Sequence, residues 1–185
     1  MIERERKYRM PPEAVDPLRG RLAREGRPVR AGIERDVFFD HPAIGLSQDD
    51  RRLRLRMRAE DGMQELTYKS PRRIVGVDKV RAELTAVVAA GPVEPLLAEL
   101  GFRPVTTVLK RREVYVLGDA EVTLDHLEAH GWFCEVEALQ PGADLDQIAF
   151  ALGLTPRQLE PRTYPEIVGE RPGEAVPNAS DGVGA

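Results

Sequence analysis

IERERKYRM, residues 2–10, alternates two kinds of side chain. Successive side chains of a β-strand point to opposite faces. Glu3, Glu5 and Lys7 therefore share one face, and Ile2, Arg4, Arg6 and Tyr8 the other. The first face carries nothing but charge, and the pattern recurs. In RRLRLRMR (51–58), Arg52, Arg54, Arg56 and Arg58 oppose Leu53, Leu55 and Met57. ELTYK (65–69) sets Glu65, Thr67 and Lys69 against Leu66 and Tyr68, and RAELT (81–85) sets Arg81, Glu83 and Thr85 against Ala82 and Leu84. Lys110 and Arg112 share a face in LKRREVY, as do Glu121, Thr123 and Asp125 in EVTLDH, and Phe133, Glu135 and Glu137 in FCEVEA.

An antiparallel sheet with one face on the core and one in water gives such alternation, and for any single strand it is the ordinary reading. The set argues otherwise. Solvated strand faces are varied, whereas these are rows of carboxylate and guanidinium. Like charges two residues apart on a strand sit about 6–7 Å from each other. Four arginines in one row repel unless anions meet them. Closing the sheet with the charged faces inward brings acidic and basic rows together, able to hold a polyanion and its metal ions, and turns the apolar faces outward for helices to cover.

The remaining elements suit that closure. Strands are expected at 2–10, 33–40, 52–58, 64–69, 79–87, 105–117, 121–127 and 132–139, with hairpins at Asp61-Gly62 and Gly118-Asp119. Helices are expected from Glu13 to Gly26, at 92–101 and from Leu145 to Leu152, with short turns at Pro156–Leu159 and 163–168. The fold class is α+β: a closed eight-stranded antiparallel β-barrel, a tunnel with a charged lumen and helices packed outside. Residues 1–168 form the domain. Residues 169–185, rich in Gly, Pro, Ala and acid, read as a disordered tail.

Composition sets bounds on function. A net charge of −4 over 185 residues argues against a general nucleic-acid binder. The one cysteine, Cys134, allows no internal disulfide and reads as a small core residue. With no run long enough for a bilayer, a cytoplasmic protein free of membrane is expected. His41, His126 and His130 do not form a helical metal motif, and no Walker A, GxGxxG or GxSxG sequence is present.

Taken in chain order, the charged segments resemble the CYTH domain, the triphosphate tunnel metalloenzymes. Glu3, Glu5 and Lys7 match its N-terminal Glu-x-Glu-x-Lys strand. DVFFD resembles the segment ending in a characteristic Asp, here Asp40. LRLR supplies Arg54 and Arg56, ELTYKSP supplies Lys69, RAELT supplies Glu83, and KRREVY supplies Lys110 and Arg112. LDHLEAHGWFCEVE supplies Asp125, Gly131, Phe133, Glu135 and Glu137. Thr85 and Thr123 stand where many relatives carry a further acid, which bears on a second metal site.

The resemblance implies a lumen that binds a triphosphate-containing small molecule with Mg²⁺ or Mn²⁺, in a monomer or homodimer. Lys7, Arg54, Arg56, Lys69, Lys110 and Arg112 would hold the phosphates, the arginines bidentately, and Arg162 would close the tunnel. Glu3, Glu5, Glu83, Asp125, Glu135 and Glu137 would hold the cation. Lys7, Glu5 and Arg56 would stand at the reacting end. The expected activity is hydrolysis of inorganic triphosphate or an organic triphosphate such as thiamine triphosphate. Aromatic residues are only 5% of the chain and few fall on the charged faces, which suits a bare polyphosphate. A class IV adenylate cyclase making cyclic AMP from ATP, or a non-catalytic polyphosphate-binding protein, are the alternatives.

Overall fold

The computed structural model describes residues 1–88 and 91–169. Most of the expected tail, 170–185, lies outside them. In chain order the strands are β1 (Ile2–Met10), β2 (Arg27–Asp40), β3 (Arg52–Arg58), β4 (Gln64–Lys69), β5 (Arg73–Val75), β6 (Asp78–Val88), β7 (Arg103–Leu117), β8 (Ala120–Leu127) and β9 (Gly131–Ala138). The helices are α1 (Pro12–Glu25), α2 (Val93–Glu99), α3 (Leu145–Ala151) and α4 (Tyr164–Val168), with single 3₁₀ turns at Leu46–Asp49 and Pro156–Gln158. None of these helices is long and apolar enough to cross a membrane.

Strand order is β1-β9-β8-β7-β2-β3-β4-β6, and β6 returns to pair with β1. Every pairing is antiparallel. The closing seam sets Glu3 opposite Arg81 and Glu5 opposite Lys79. Eight strands therefore close the barrel, and β5 is an addition. It pairs Arg73, Ile74 and Val75 with Val80, Lys79 and Asp78 of β6. Three exposed residues between Pro71 and Gly76 are too short to show a period, which hides this strand in the sequence. β2 also starts earlier than expected. Pro28 and Gly32 interrupt its alternation, yet β7 supplies a 15-residue partner that carries the ladder through a register shift between Pro28 and Arg30. Gly62 (φ +67°) and Gly118 (φ +57°) take the left-handed backbone at the two expected hairpins.

The outward faces are the apolar ones. Val15, Leu18 and Leu22 of α1, with Leu145 and Ala149 of α3, bury Tyr8, Val122, Leu124, Cys134 and Val136. Val93 and Leu97 of α2 cover Val37, Phe39 and Leu55. The fourth helix departs from the expectation that all helices lie outside. Inward positions of four strands change from charged to apolar over one step: Asp36 to Phe38, Lys110 to Val108, Asp125 to Leu127, Glu135 to Phe133. Tyr164 and Ile167 of α4 pack into these four residues and plug that part of the barrel.

Phe133 is fully buried and meets the Tyr164 ring edge-on at 5.5 Å. Replacing Phe133 with Ala should cost roughly 3–5 kcal/mol by urea denaturation, as a large cavity in a packed cluster does. A loss under about 1 kcal/mol would show that α4 does not depend on this plug.

Candidate active site: a charged lumen

Closure gathers the charged faces around a cavity of about 140 Å³. At ~30 Å³ per water, its share of the liquid, that is room for several waters, so the interior is an open site and not a packed core. Seven carboxylates line it: Glu3, Glu5, Asp36, Glu83, Glu121, Glu135 and Glu137. Eight bases face them: Lys7, Arg52, Arg54, Arg56, Lys69, Arg81, Lys110 and Arg112. Phe38 and three residues at the start of α4, Thr163, Tyr164 and Pro165, complete the lining.

The bases come from β1, β3, β4, β6 and β7. Arg56 gives Nε and Nη2 to the two oxygens of Asp36 at 2.7 and 2.8 Å. Arg112 gives the same two nitrogens to Asp125, Nε at 2.7 Å, and Nη2 also reaches Glu135 at 2.5 Å. Lys110 lies 3.5–3.8 Å from Glu34, Asp36 and Asp125, and among the described residues its ammonium makes no hydrogen bond. Burial would raise the Asp36 carboxyl, but Arg56 and Lys110 outweigh it and hold it well below the usual range. Glu34, behind the lining, is held at about 2 against its burial by Arg112, Arg56 and Lys110. Arg54 differs. Among the described residues its one hydrogen bond is to Thr67 Oγ1 at 3.3 Å, and its Nε is buried without a partner. Burial, then the neighbouring Arg56, lower its pKa.

Lys7 is almost wholly buried, 3.4 Å from Glu135, with its ammonium 3.6 Å from the centre of the Tyr164 ring. Burial lowers its pKa to about 8, with Glu135 pulling the other way. Lys69 bridges Glu3 (3.2 Å) and Glu83.

The carboxylates divide into two groups. Glu135, Asp36 and Glu83 have bases beside them and are held ionised. The others crowd one another. Glu137 is the register partner of both Glu5 and Glu121. Burial, then Glu3, Glu5 and Glu121, push Glu137 up to about 8. Glu5 is raised by burial and then by Glu135 and Glu3. Glu3 and Glu121 are raised by burial against the pull of Lys69 and Arg112 respectively. Among the described residues no three His, Cys, Asp or Glu side chains are already gathered as a metal site. The donor chemistry nonetheless fits a hard divalent cation. The lumen offers oxygen ligands on adjacent strands, and their mutual repulsion is what such a cation relieves.

Of the residues named from sequence, Glu3, Glu5, Lys7, Arg54, Arg56, Lys69, Glu83, Lys110, Arg112, Glu135 and Glu137 line this one cavity. Two do not. The Arg162 side chain is half exposed and turned onto Glu160 at 2.7–2.8 Å; only its carbonyl serves the interior, accepting from Lys7 (3.2 Å) and Lys79 (3.4 Å). Asp125 is wholly buried, and its oxygens are taken by Arg112 and by the Tyr164 hydroxyl at 2.6 Å. It lies behind the lining, where a cation ligand was expected. Sequence reasoning passed over Asp36 and Glu34, one and two steps from Phe38 on a strand whose charge row is short. It also passed over Tyr164, which reaches the lumen from a helix and so has no place in a period-two pattern. With Phe38, Tyr164 brings aromatic surface to a lumen expected to have little.

Known proteins share this fold. The chain is 34% identical to adenylate cyclase CyaB of Aeromonas hydrophila over 139 residues, 71% of this chain and 70% of that one. The structure of PH1819 from Pyrococcus horikoshii OT3 superposes with a TM-score of 0.75 at 30% identity, covering 90% of this chain and 97% of that chain. HpAC1 of Hippeastrum, named as an adenylyl cyclase candidate in which triphosphatase activity dominates, shares the fold with a TM-score of 0.63 at 18% identity, covering 82% and 88%. The model of the CYTH domain matches residues 1–164, and the chain belongs to the CYTH family.

Proposed function

We propose that this chain is a metal-dependent triphosphatase that hydrolyses inorganic triphosphate, or an organic triphosphate such as thiamine triphosphate, and releases phosphate. CYTH proteins are enzymes that act on triphosphates with divalent cations. The observation that supports hydrolysis here is the lumen itself. It joins a set of bases able to take an anion to crowded carboxylates, Glu5 and Glu137 foremost, whose proton affinity stays raised despite the bases near them.

Lys7, Arg54, Arg56, Lys69, Lys110 and Arg112 bind the phosphate oxygens, over which the charge is spread. Glu3, Glu5, Glu135 and Glu137, with Glu83, would hold Mg²⁺ or Mn²⁺. The cation, when bound, neutralises charge on the phosphate oxygens and draws the phosphates into place. A water oriented by a lumen carboxylate attacks the terminal phosphorus while the bond from that phosphorus to the bridging oxygen breaks. Glu5 takes the proton from that water through a carboxylate oxygen that the cation leaves free. Lys7 and Arg56 neutralise the charge that develops on the leaving diphosphate.

Cyclisation of ATP to cyclic AMP is the second reading. It is favoured by the relative named adenylate cyclase CyaB and by the apolar wall of Phe38, Tyr164 and Pro165, a surface for an adenine ring. Purified protein given inorganic triphosphate, thiamine triphosphate or ATP should release phosphate with Mg²⁺ or Mn²⁺ and stop on addition of EDTA. Cyclic AMP as the main product from ATP would establish the cyclase. Tight binding of triphosphate with no product under either metal would leave a polyphosphate-binding protein.

Metal-free stability should pass through a minimum near pH 8. Glu137 binds its proton up to about 8 in the fold against an ordinary 4.5, so the stability linked to that proton is complete below 4.5 and is lost as pH rises through about 8. Lys7 gives up its proton at about 8 against an ordinary 10.5, so between those values rising pH favours the fold. Thermal melts from pH 5 to 10 should show the dip, Glu137→Gln should flatten its acid side, and Mg²⁺ should fill it. A melting temperature that is level over this range, or a slope unchanged in Glu137→Gln, contradicts this account of the lumen charges.

A further inference from the structure

Two buried aspartates grip two lumen arginines along the same edge, Asp36 from within the lining and Asp125 from behind it. Asp36 on β2 grips the Nε–Nη2 edge of Arg56 on β3, its register partner. Asp125 on β8 grips the Nε–Nη2 edge of Arg112 on β7, again its register partner. A planar guanidinium presents its donors along separate edges. A carboxylate on the Nε–Nη2 edge leaves the edge between the two terminal nitrogens for a ligand. For Arg112 that second edge is already in use, because Nη2 also reaches Glu135. Arg56 is the cleaner case. Its other close carboxylate, Glu34, approaches the same Nε at 3.2 Å, and the residue lines the cavity. Arg54, two residues along the same row, has no such grip.

We infer that Asp36 is a positioning residue for the proposed reaction: by holding one edge of Arg56 it fixes the other for the triphosphate. This rests on reading the lumen as the triphosphate site. Asp36 acts in this role through Arg56, from which it accepts two hydrogen bonds, whereas Lys110, 3.6 Å away, makes none to it. A long side chain held in this way gives up little further freedom when a ligand arrives, so more of its hydrogen bonding appears as affinity.

The sign of one substitution separates this role from simple charge balance. If Asp36 only neutralises Arg56, removing its charge makes the wall more positive and tightens binding of a polyanion. If it positions Arg56, removal weakens binding. Affinity for inorganic triphosphate with Mg²⁺, measured by titration calorimetry, should fall about tenfold in Asp36→Asn, on the scale of one charge-assisted bidentate pair. Arg56→Met should lose at least as much. The double variant should be no weaker than Arg56→Met, because the aspartate has nothing left to position. Unchanged or tighter binding by Asp36→Asn overturns the inference, as does a double variant whose loss is the full product of the two single losses. Should Asp36→Asn unfold from its uncompensated arginine, Arg56→Met, in which Asp36 keeps Lys110 at 3.6 Å, and the double variant, which strands neither charge of the pair, still decide the matter through their equality or difference. A wild-type protein with no affinity for triphosphate overturns the substrate reading and this inference together. Wild-type binding with no effect of Asp36→Asn overturns the inference alone.

Discussion

The antiparallel seam between β1 and β6 turns a sheet into a barrel, and the rest of the structure answers to it. Once Glu3 faces Arg81 and Glu5 faces Lys79, every charged row in the chain has an inside to point into. Charges enclosed in this way interact more strongly than they would in water, for better and worse. Unmatched rows would be costly, so most of the lumen bases stand against a carboxylate. Two features are informative: the crowded Glu137, Glu5, Glu3 and Glu121, whose pKa values are raised even though Lys69 is 3.2 Å from Glu3 and Lys79 is 3.6 Å from Glu5, and Arg54, which among the described residues has no carboxylate grip. They mark where the empty protein is least satisfied and where a cation and an anion have most to offer.

The same enclosure explains why the interior does not stay charged throughout. On β2, β7, β8 and β9 the inward row ends in Phe38, Val108, Leu127 and Phe133, and α4 seats Tyr164 and Ile167 among them. Tyr164 sits at the boundary. Its ring packs with the plug, its face meets the ammonium of Lys7, and its hydroxyl donates to Asp125. A helix of five residues is thus tied to the chemistry of the lumen through one side chain. The guanidinium of Arg72 fastens the same helix from the β4–β5 connection by a two-pronged pair to Glu166.

The strand rows were legible in the sequence because a period of two survives in a single chain. Glu3, Glu5 and Lys7, the Arg54–Arg56 pair and Glu135–Glu137 each announce a face without reference to any partner. What the pattern could not carry was the layer behind the lining. Whether Asp125 holds a cation or an arginine depends on Arg112 across the ladder and on Tyr164 arriving from 39 residues away. Arg162 was misplaced for a related reason. It lies outside any strand, so no period fixes its direction, and Glu160 two residues before it takes the side chain outward. The three-residue β5 and the early start of β2 were hidden because pairing, and not local pattern, makes them strands.

The central claim is that the arginine row faces a closed lumen built for a triphosphate and its cation, and Arg54 tests it most directly. Thermal melts of wild type and Arg54→Met, each with and without triphosphate and Mg²⁺, measure both halves of the claim. At about 100 times its dissociation constant the ligand should stabilise wild type by about 2.7 kcal/mol. Arg54→Met should match wild type within about 1 kcal/mol when empty, because the lost charge had no carboxylate grip, and should gain clearly less from the ligand. An Arg54→Met protein that melts like wild type in both conditions would make Arg54 an ordinary solvated arginine and contradict the inward-facing lumen.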